Sequence, residues 1–118
     1  MKRSTAKRLH DAIQAIEAIE RFTEAMDYEA YASSEIAMAA VERKFEIISE
    51  ALKNAAAEDA LIQASITVLP QIISLRNRIA HDYEQIDQEI LWTIRTLWLP
   101  KLKAEATELL ANFRDAPG

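Results

Sequence analysis

The chain has 118 residues, half of them apolar, with no cysteine, one glycine and a formal net charge of −5. Such a length fits one domain that buries a core without cross-links, and the apolar fraction excludes a disordered chain. The lack of cysteine excludes disulfides, thiolate zinc sites and cysteine nucleophiles, while the acidic balance argues against a sequence-blind nucleic-acid binder, although a small basic cleft on an acidic body remains compatible with it.

The chain opens on Met1-Lys2-Arg3-Ser4-Thr5-Ala6-Lys7-Arg8, a basic start with no apolar signal-peptide core behind it. No stretch reaches the length of a membrane span, so a cytoplasmic protein with no membrane contact is expected. The spacing of Leu9, Ile13, Ile16, Ile19 and Phe22 predicts a first helix over 5–25, with Glu17, Glu20 and Glu24 on a solvated face. A break over 26–32 follows, holding Tyr28 and Tyr31 as surface packing or as contacts for a partner. Ser33 or Ser34 then caps a second helix, with Glu35 in its first turn and Val41, Phe45, Ile48 and Leu52 as its apolar stripe. This helix fades in the alanine run 55–57. Residues 58–69 read as a short helix and a turn, or as neither.

Pro70 suits the first position of a third helix, where its missing amide costs nothing, and Ile72, Leu75 and Ile79 make the stripe. A short link over 84–86 leads to Asp87, the cap of a fourth helix that carries Ile90, Ile94, Leu97, Trp98, Leu102, Leu109 and Phe113. Pro100, inside it, should kink or split it. With glycine confined to the last position, strand-rich folds lack their turns, and the pattern predicts an all-α, up-and-down bundle of four to five helices over 1–118.

The third helix ends in Arg76-Asn77-Arg78-Ile79-Ala80-His81-Asp82-Tyr83. An imidazole is suited to moving protons near neutral pH, and a guanidinium clamps phosphate through parallel hydrogen bonds. Together they meet the needs of RNA cleavage without a metal or other cofactor: one group handles the protons of the ribose 2′-hydroxyl or the leaving oxygen, the other the charge growing on phosphorus. On a helix Asn77 and His81 lie within about 40° of each other, opposite the apolar stripe, so Asn77 can orient the imidazole. Arg76 and His81 are separated by about 140°. Either the helix ends near Ala80 and frees His81 to turn, or two copies meet across a two-fold axis, the arrangement we favour. A polar helix end of this composition is, by itself, more often a solvated or capping feature than a catalyst.

The pattern Arg-x4-His-x-Tyr, with Asn directly after Arg, resembles the signature of the HEPN superfamily and, within it, the HepT-like toxins of bacterial toxin–antitoxin pairs. The resemblance extends over most of the chain: a helix like Lys7 to Phe22, Val41-Glu42-Arg43 and Glu46 to Ala51 on the next, the motif, then Asp87 to Trp92 and Leu99-Pro100. It implies a helical, dimerising ribonuclease acting on RNA, partnered by an MntA-type nucleotidyltransferase antitoxin. Arg76 and His81 would be catalytic, Asn77 supporting, and Tyr83 the hydroxyl that the antitoxin adenylylates. Arg78 adds a further phosphate contact. The chain departs from many relatives, which carry Trp and Gly on the approach to the motif, in reading Leu69 to Leu75 there. The rival reading is a non-catalytic helical module that binds or regulates a nucleotidyltransferase.

Outside the motif, His10 has no His or Cys at ligand spacing, and no metal site is expected. Glu46 and Glu50, one turn apart, could position an arginine or a metal, but read more simply as a solvated face or as acids in an intramolecular salt bridge. Trp92 and Trp98 read as core or dimer contacts. The cluster Lys2, Arg3, Lys7 and Arg8 either guides RNA phosphates or is a solvated terminus.

Overall fold

A computed structural model describes the backbone of residues 1–81 and 87–115 and the side chains of 1–75 and 87–113. Every regular element among the described residues is helical: α1 (Arg3–Phe22), α2 (Tyr28–Ala32), α3 (Glu35–Glu58), α4 (Ala60–Ser65), α5 (Leu69–His81), α6 (Gln88–Thr93) and α7 (Leu99–Asp115), with a π turn over Ile94–Trp98 joining the last two.

Local chemistry sets most boundaries. The Ser34 hydroxyl accepts the Ala37 amide at 3.1 Å and starts α3. Asp59 ends α3 and starts α4 by accepting the Leu61 amide at 3.0 Å. The ambiguous stretch 58–69 is therefore a short helix and a turn. The expected break over 26–32 is corrected: it contains α2, nucleated by Asp27, whose carboxylate accepts the Ala30 amide at 2.8 Å. α1 stops at Phe22, three residues earlier than the spacing suggested, and Phe22 is 41% exposed instead of joining the stripe. Pro70 occupies the second position of α5, not the first.

The π turn answers the expectation at Pro100. A proline ring clashes with the carbonyl four residues earlier and leaves it without an amide. The wider turn just before Pro100, closed by the Leu99 amide on the Ile94 carbonyl, passes that defect without stopping the helix.

Specific polar contacts set the topology. Ser4, Thr5 and Arg8, at the start of α1, meet Glu58 at the end of α3, so these helices are antiparallel. Ser49 of α3 donates to the Ile72 carbonyl of α5 at 2.7 Å, while Glu42 receives Gln88, beyond the end of α5. Hence α5 runs antiparallel to α3. Arg95 donates to Thr23 at 2.8 Å and Lys103 to Glu20 at 3.0 Å, setting α7 antiparallel to α1. The result is an up-and-down bundle of four long helical arms, 48 Å in its longest dimension. Leu9, Ile16, Ile19, Phe45, Ile48, Leu52, Ile72, Leu99 and Leu102 fill its centre with no exposure to solvent. Among the described residues no helix is long and apolar enough to cross a membrane.

Candidate active site

Helix α5 carries the motif on its final turns. It begins after a turn at Thr67, whose amide and hydroxyl both reach Glu105 of α7 at 3.2 Å. It is held in its first turn by the buried Ser49–Ile72 bond. Its backbone stays helical through His81, so Arg76 and His81 lie on one helix, about 140° apart around its axis. Of the two alternatives, the one in which the helix ends near Ala80 thus falls short of the described backbone by at least one residue. The side chains of Arg76, Asn77, Arg78 and His81 lie outside the described residues, as does Tyr83 altogether.

What surrounds that end of α5 is described. Residue 42 of α3 lies seven residues before Ser49, and residue 79 of α5 seven beyond Ile72, so the antiparallel pair brings both to about the same level. Glu42 and Glu46 therefore run alongside the motif half of α5. Glu46 also pairs with Arg43 at 3.3 Å. The described chain resumes at Asp87, whose carboxylate accepts the amides of Glu89 and Ile90 at 3.0 and 3.3 Å and caps α6. Gln88, the first residue of α6, donates from its amide nitrogen to Glu42 at 2.7 Å and accepts the hydroxyl of Tyr31 on its oxygen.

Tyr31 is wholly buried and stacks on Trp92, ring centres 5.0 Å apart, with Tyr28 tilted against both. Burial, then the negative charge of Glu42, pushes the phenol well above its ordinary range, so it remains a proton donor in this network. Arg95 covers the other aromatic partner, its guanidinium carbon 5.5 Å from the Trp92 ring centre. The tyrosines expected in a loop are thus on a helix, and Tyr31 is core. Sequence reasoning missed the Tyr31–Gln88–Glu42 chain; the only local signal for it was Asp27, whose carboxylate predicts a helix start.

A groove of about 440 Å³ follows the flank of α5 that leads to the motif. Gln71, Ser74 and Leu75 form one wall, and Asp87, Ile90, Ile94 and Trp98 the other. A second cleft, of about 450 Å³, lies among Met1, Leu61, Glu105 and Phe113 at the opposite end of the bundle.

The N-terminal cations are also far from the motif. Arg8 is held by Glu58 at 2.9 Å and Lys7 by Asp11 at 3.3 Å. Glu58 is thirteen residues, about 20 Å along α3, from the level of Arg76. Within one copy, this cluster does not border the motif. Among the described residues no three His, Cys, Asp or Glu side chains converge as a metal would require.

The chain matches the family described as Ribonuclease HepT-like over residues 12–109. It is 32% identical over 109 residues to a Thermococcus cleftensis protein that bears the name Probable ribonuclease HepT, covering 92% of this chain and 98% of the relative. A Methanocaldococcus jannaschii protein named as an RNase is 25% identical over 116 residues, 97% of each chain. Another from the same organism, also named as an RNase, is 29% identical over 106 residues, covering 88% of this chain and 94% of the relative. No solved structure matches. A match that spans most of an all-helical bundle, with the Arg-x4-His pattern on the last turns of α5, places this chain in the HepT-like ribonuclease family.

Proposed function

We propose that this chain is the ribonuclease toxin of a toxin–antitoxin pair, cutting RNA without a metal through Arg76 and His81. The observation that carries the reading is the Arg76-Asn77-x3-His81 pattern on the last described turns of a helix tied to α3 at Ile72 and preceded by a turn tied to α7 at Thr67, in a chain of this family. In the reaction the 2′-hydroxyl oxygen bonds to phosphorus as the bond to the 5′-oxygen breaks, leaving a 2′,3′-cyclic phosphate and a 5′-hydroxyl. His81 moves the proton at one of these oxygens, Arg76 neutralises the pentacoordinate phosphorus, and Asn77 orients one of them. Arg78 adds a phosphate contact.

The angular separation of Arg76 and His81 on a helix continuous to His81 supports a site built by two copies, each offering its own α5. Ile90, 38% exposed, and Leu97, 65% exposed, provide apolar surface on the arm that neighbours α5. The antitoxin is a nucleotidyltransferase that transfers AMP to the Tyr83 hydroxyl. The added phosphodiester then occupies the arginines and repels incoming RNA.

The test is cleavage of a fluorogenic RNA in EDTA by the purified chain and by His81→Ala and Arg76→Ala. Each substitution should lower the rate by about a hundredfold or more while the helical signal is retained. Unchanged cleavage by His81→Ala sinks the catalytic assignment. Mass spectrometry after co-expression with a minimal nucleotidyltransferase should find AMP on Tyr83. A neutralised chain with Tyr83 unmodified discards that part of the reading.

A further inference from the structure

Arg95 is fixed by contacts that leave its charge unpaired. It stands on the π turn, and its Nε donates to the Thr23 hydroxyl oxygen at 2.8 Å. Thr23 is buried and donates its own proton to the Ile19 carbonyl, also at 2.8 Å, so towards Arg95 its oxygen can only accept. The guanidinium carbon lies 5.5 Å from the centre of the Trp92 ring, and Trp92 is itself stacked on Tyr31. These two contacts order a long side chain that would otherwise sample many rotamers. They engage one N–H and one face of the guanidinium, and the four N–H groups of its terminal nitrogens remain. Among the described residues no carboxylate pairs with Arg95, in a chain whose 19 acidic side chains outnumber its 14 lysines and arginines.

Arg95 lines a cleft of about 430 Å³ between the end of α1 and α7, together with Glu17, Glu20, Arg21, Glu24 and Lys103. Lys103 bridges Glu20 at 3.0 Å and Glu17 at 3.6 Å. Arg21 and Glu24 are exposed and enter no ion pair among the described residues. Three cations thus face three carboxylates, which decides the kind of ligand. A polyanion gains little there, since each further phosphate meets as much negative charge as positive. A matched ligand carries one compact anion for the guanidiniums and uncharged hydrogen-bond donors for the carboxylates. A guanidinium fork fits phosphate oxygens through parallel N–H bonds. A carboxylate is the acceptor that nucleotide sites set against ribose hydroxyls. The cleft also falls in the size range of small-molecule sites.

We propose that the α1–α7 cleft binds a ribose phosphate, as carried by a nucleoside monophosphate. Arg95 and Arg21 take the phosphate, and Glu20 and Glu24 accept the ribose hydroxyls. No residue of α5 lines the cleft, and the proposal does not depend on the ribonuclease reading. A ligand held there joins α1 to the π turn and α7, so its binding stabilises the folded bundle.

The experiment titrates the full chain with 5′-AMP, ribose 5-phosphate, adenosine, inorganic phosphate and a short single-stranded RNA, read by calorimetry and by the melting temperature. 5′-AMP and ribose 5-phosphate should bind with Kd of about 1 mM or tighter and raise Tm. Adenosine should give no signal, and inorganic phosphate should bind about tenfold more weakly or worse. Arg95→Gln should weaken 5′-AMP binding about tenfold or more, the value of one hydrogen bond to a charged group. Arg21→Gln and Glu24→Gln should each weaken it by about three- to tenfold; both residues are exposed, so these variants carry the test even where Arg95→Gln folds poorly. RNA affinity should be the same in wild type and Arg95→Gln. Absence of heat and of a Tm shift with 5′-AMP and ribose 5-phosphate on the folded wild type overturns the proposal, as does unchanged binding in both Arg21→Gln and Glu24→Gln. Inorganic phosphate that binds as well as 5′-AMP overturns the ribose assignment and leaves an adventitious ion only. An Arg95→Gln chain that loses RNA affinity and keeps 5′-AMP affinity overturns the proposal in favour of an RNA contact.

Discussion

Replacing Ser49 by alanine tests whether a single buried hydrogen bond seats the motif helix. Ser49 has no solvent exposure, and its hydroxyl donates to the Ile72 carbonyl at 2.7 Å, four residues before Arg76. The net value of such a bond is about 0.5–1.5 kcal/mol. The Ile72 carbonyl lies inside α5 and keeps its helical amide, so the larger penalty of an orphaned acceptor does not arise. Alanine is also the better helix former by up to about 0.5 kcal/mol, which offsets part of the loss. The expected cost is therefore about 0.5–1 kcal/mol. For a chain of this size, at about 2 cal/mol/K per residue of unfolding entropy, that lowers Tm by roughly 2–4 °C. Ser49→Val loses the same bond, puts one methyl group in the place of the hydroxyl and forces a second into a filled site, adding about 1–3 kcal/mol. Urea unfolding followed by circular dichroism measures both. Ser49→Ala at or above wild-type stability would refute the reasoning, since propensity would then outweigh the bond. Ser49→Val no worse than Ser49→Ala would show that the α3–α5 contact is loosely packed.

Two further outcomes follow from other contacts. The hydroxyls of Thr5 and Ser4, then Arg8, hold the Glu58 carboxyl below its ordinary value of 4.5. A depressed carboxylate contributes stability that is present above about pH 4.5 and is lost as pH falls through the lower folded value. Melting curves across pH 7 to 3 should show the wild type losing more Tm than Glu58→Gln, and parallel losses would remove Glu58 from the acid response. Leu97, 65% exposed on the π turn, should belong to the contact between copies, so Leu97→Glu should shift the chain to monomer by light scattering and lower RNA cleavage; an unchanged mass with unchanged cleavage would rule that surface out.

What could be read in the sequence divides according to the range of the interaction. Ser34 and Asp87 were legible as caps because a cap is satisfied within three residues of itself. The apolar stripes of α1 and α3 were legible because the helical repeat is local. Phe22 shows where that fails. It has the right spacing, but α1 closes at Thr23, whose buried hydroxyl donates back to Ile19 and also accepts Arg95 from 72 residues away. The last apolar position of the stripe therefore faces solvent. Tyr31 is the reverse case. It sits in a stretch rich in polar residues, which reads as loop, yet it is a fully buried side chain, because Trp92 and Gln88 come to it from the far arm of the bundle. The basic start has the same lesson in charge: Arg8 looks free in the sequence, and Glu58 claims it in the fold.

The candidate site is legible for a related reason. The groups proposed for it stand within eight consecutive residues, so their identities and ideal helical angles can be read without tertiary knowledge. The Tyr31–Gln88–Glu42 contacts are spread over α2, α3 and α6, and no periodicity announces them. Gln88 illustrates the asymmetry. As a residue after a capping aspartate it carries no signal, and any helix former would satisfy that position. Its contacts depend on Glu42 of α3 and Tyr31 of α2 coming to it from 46 and 57 positions away.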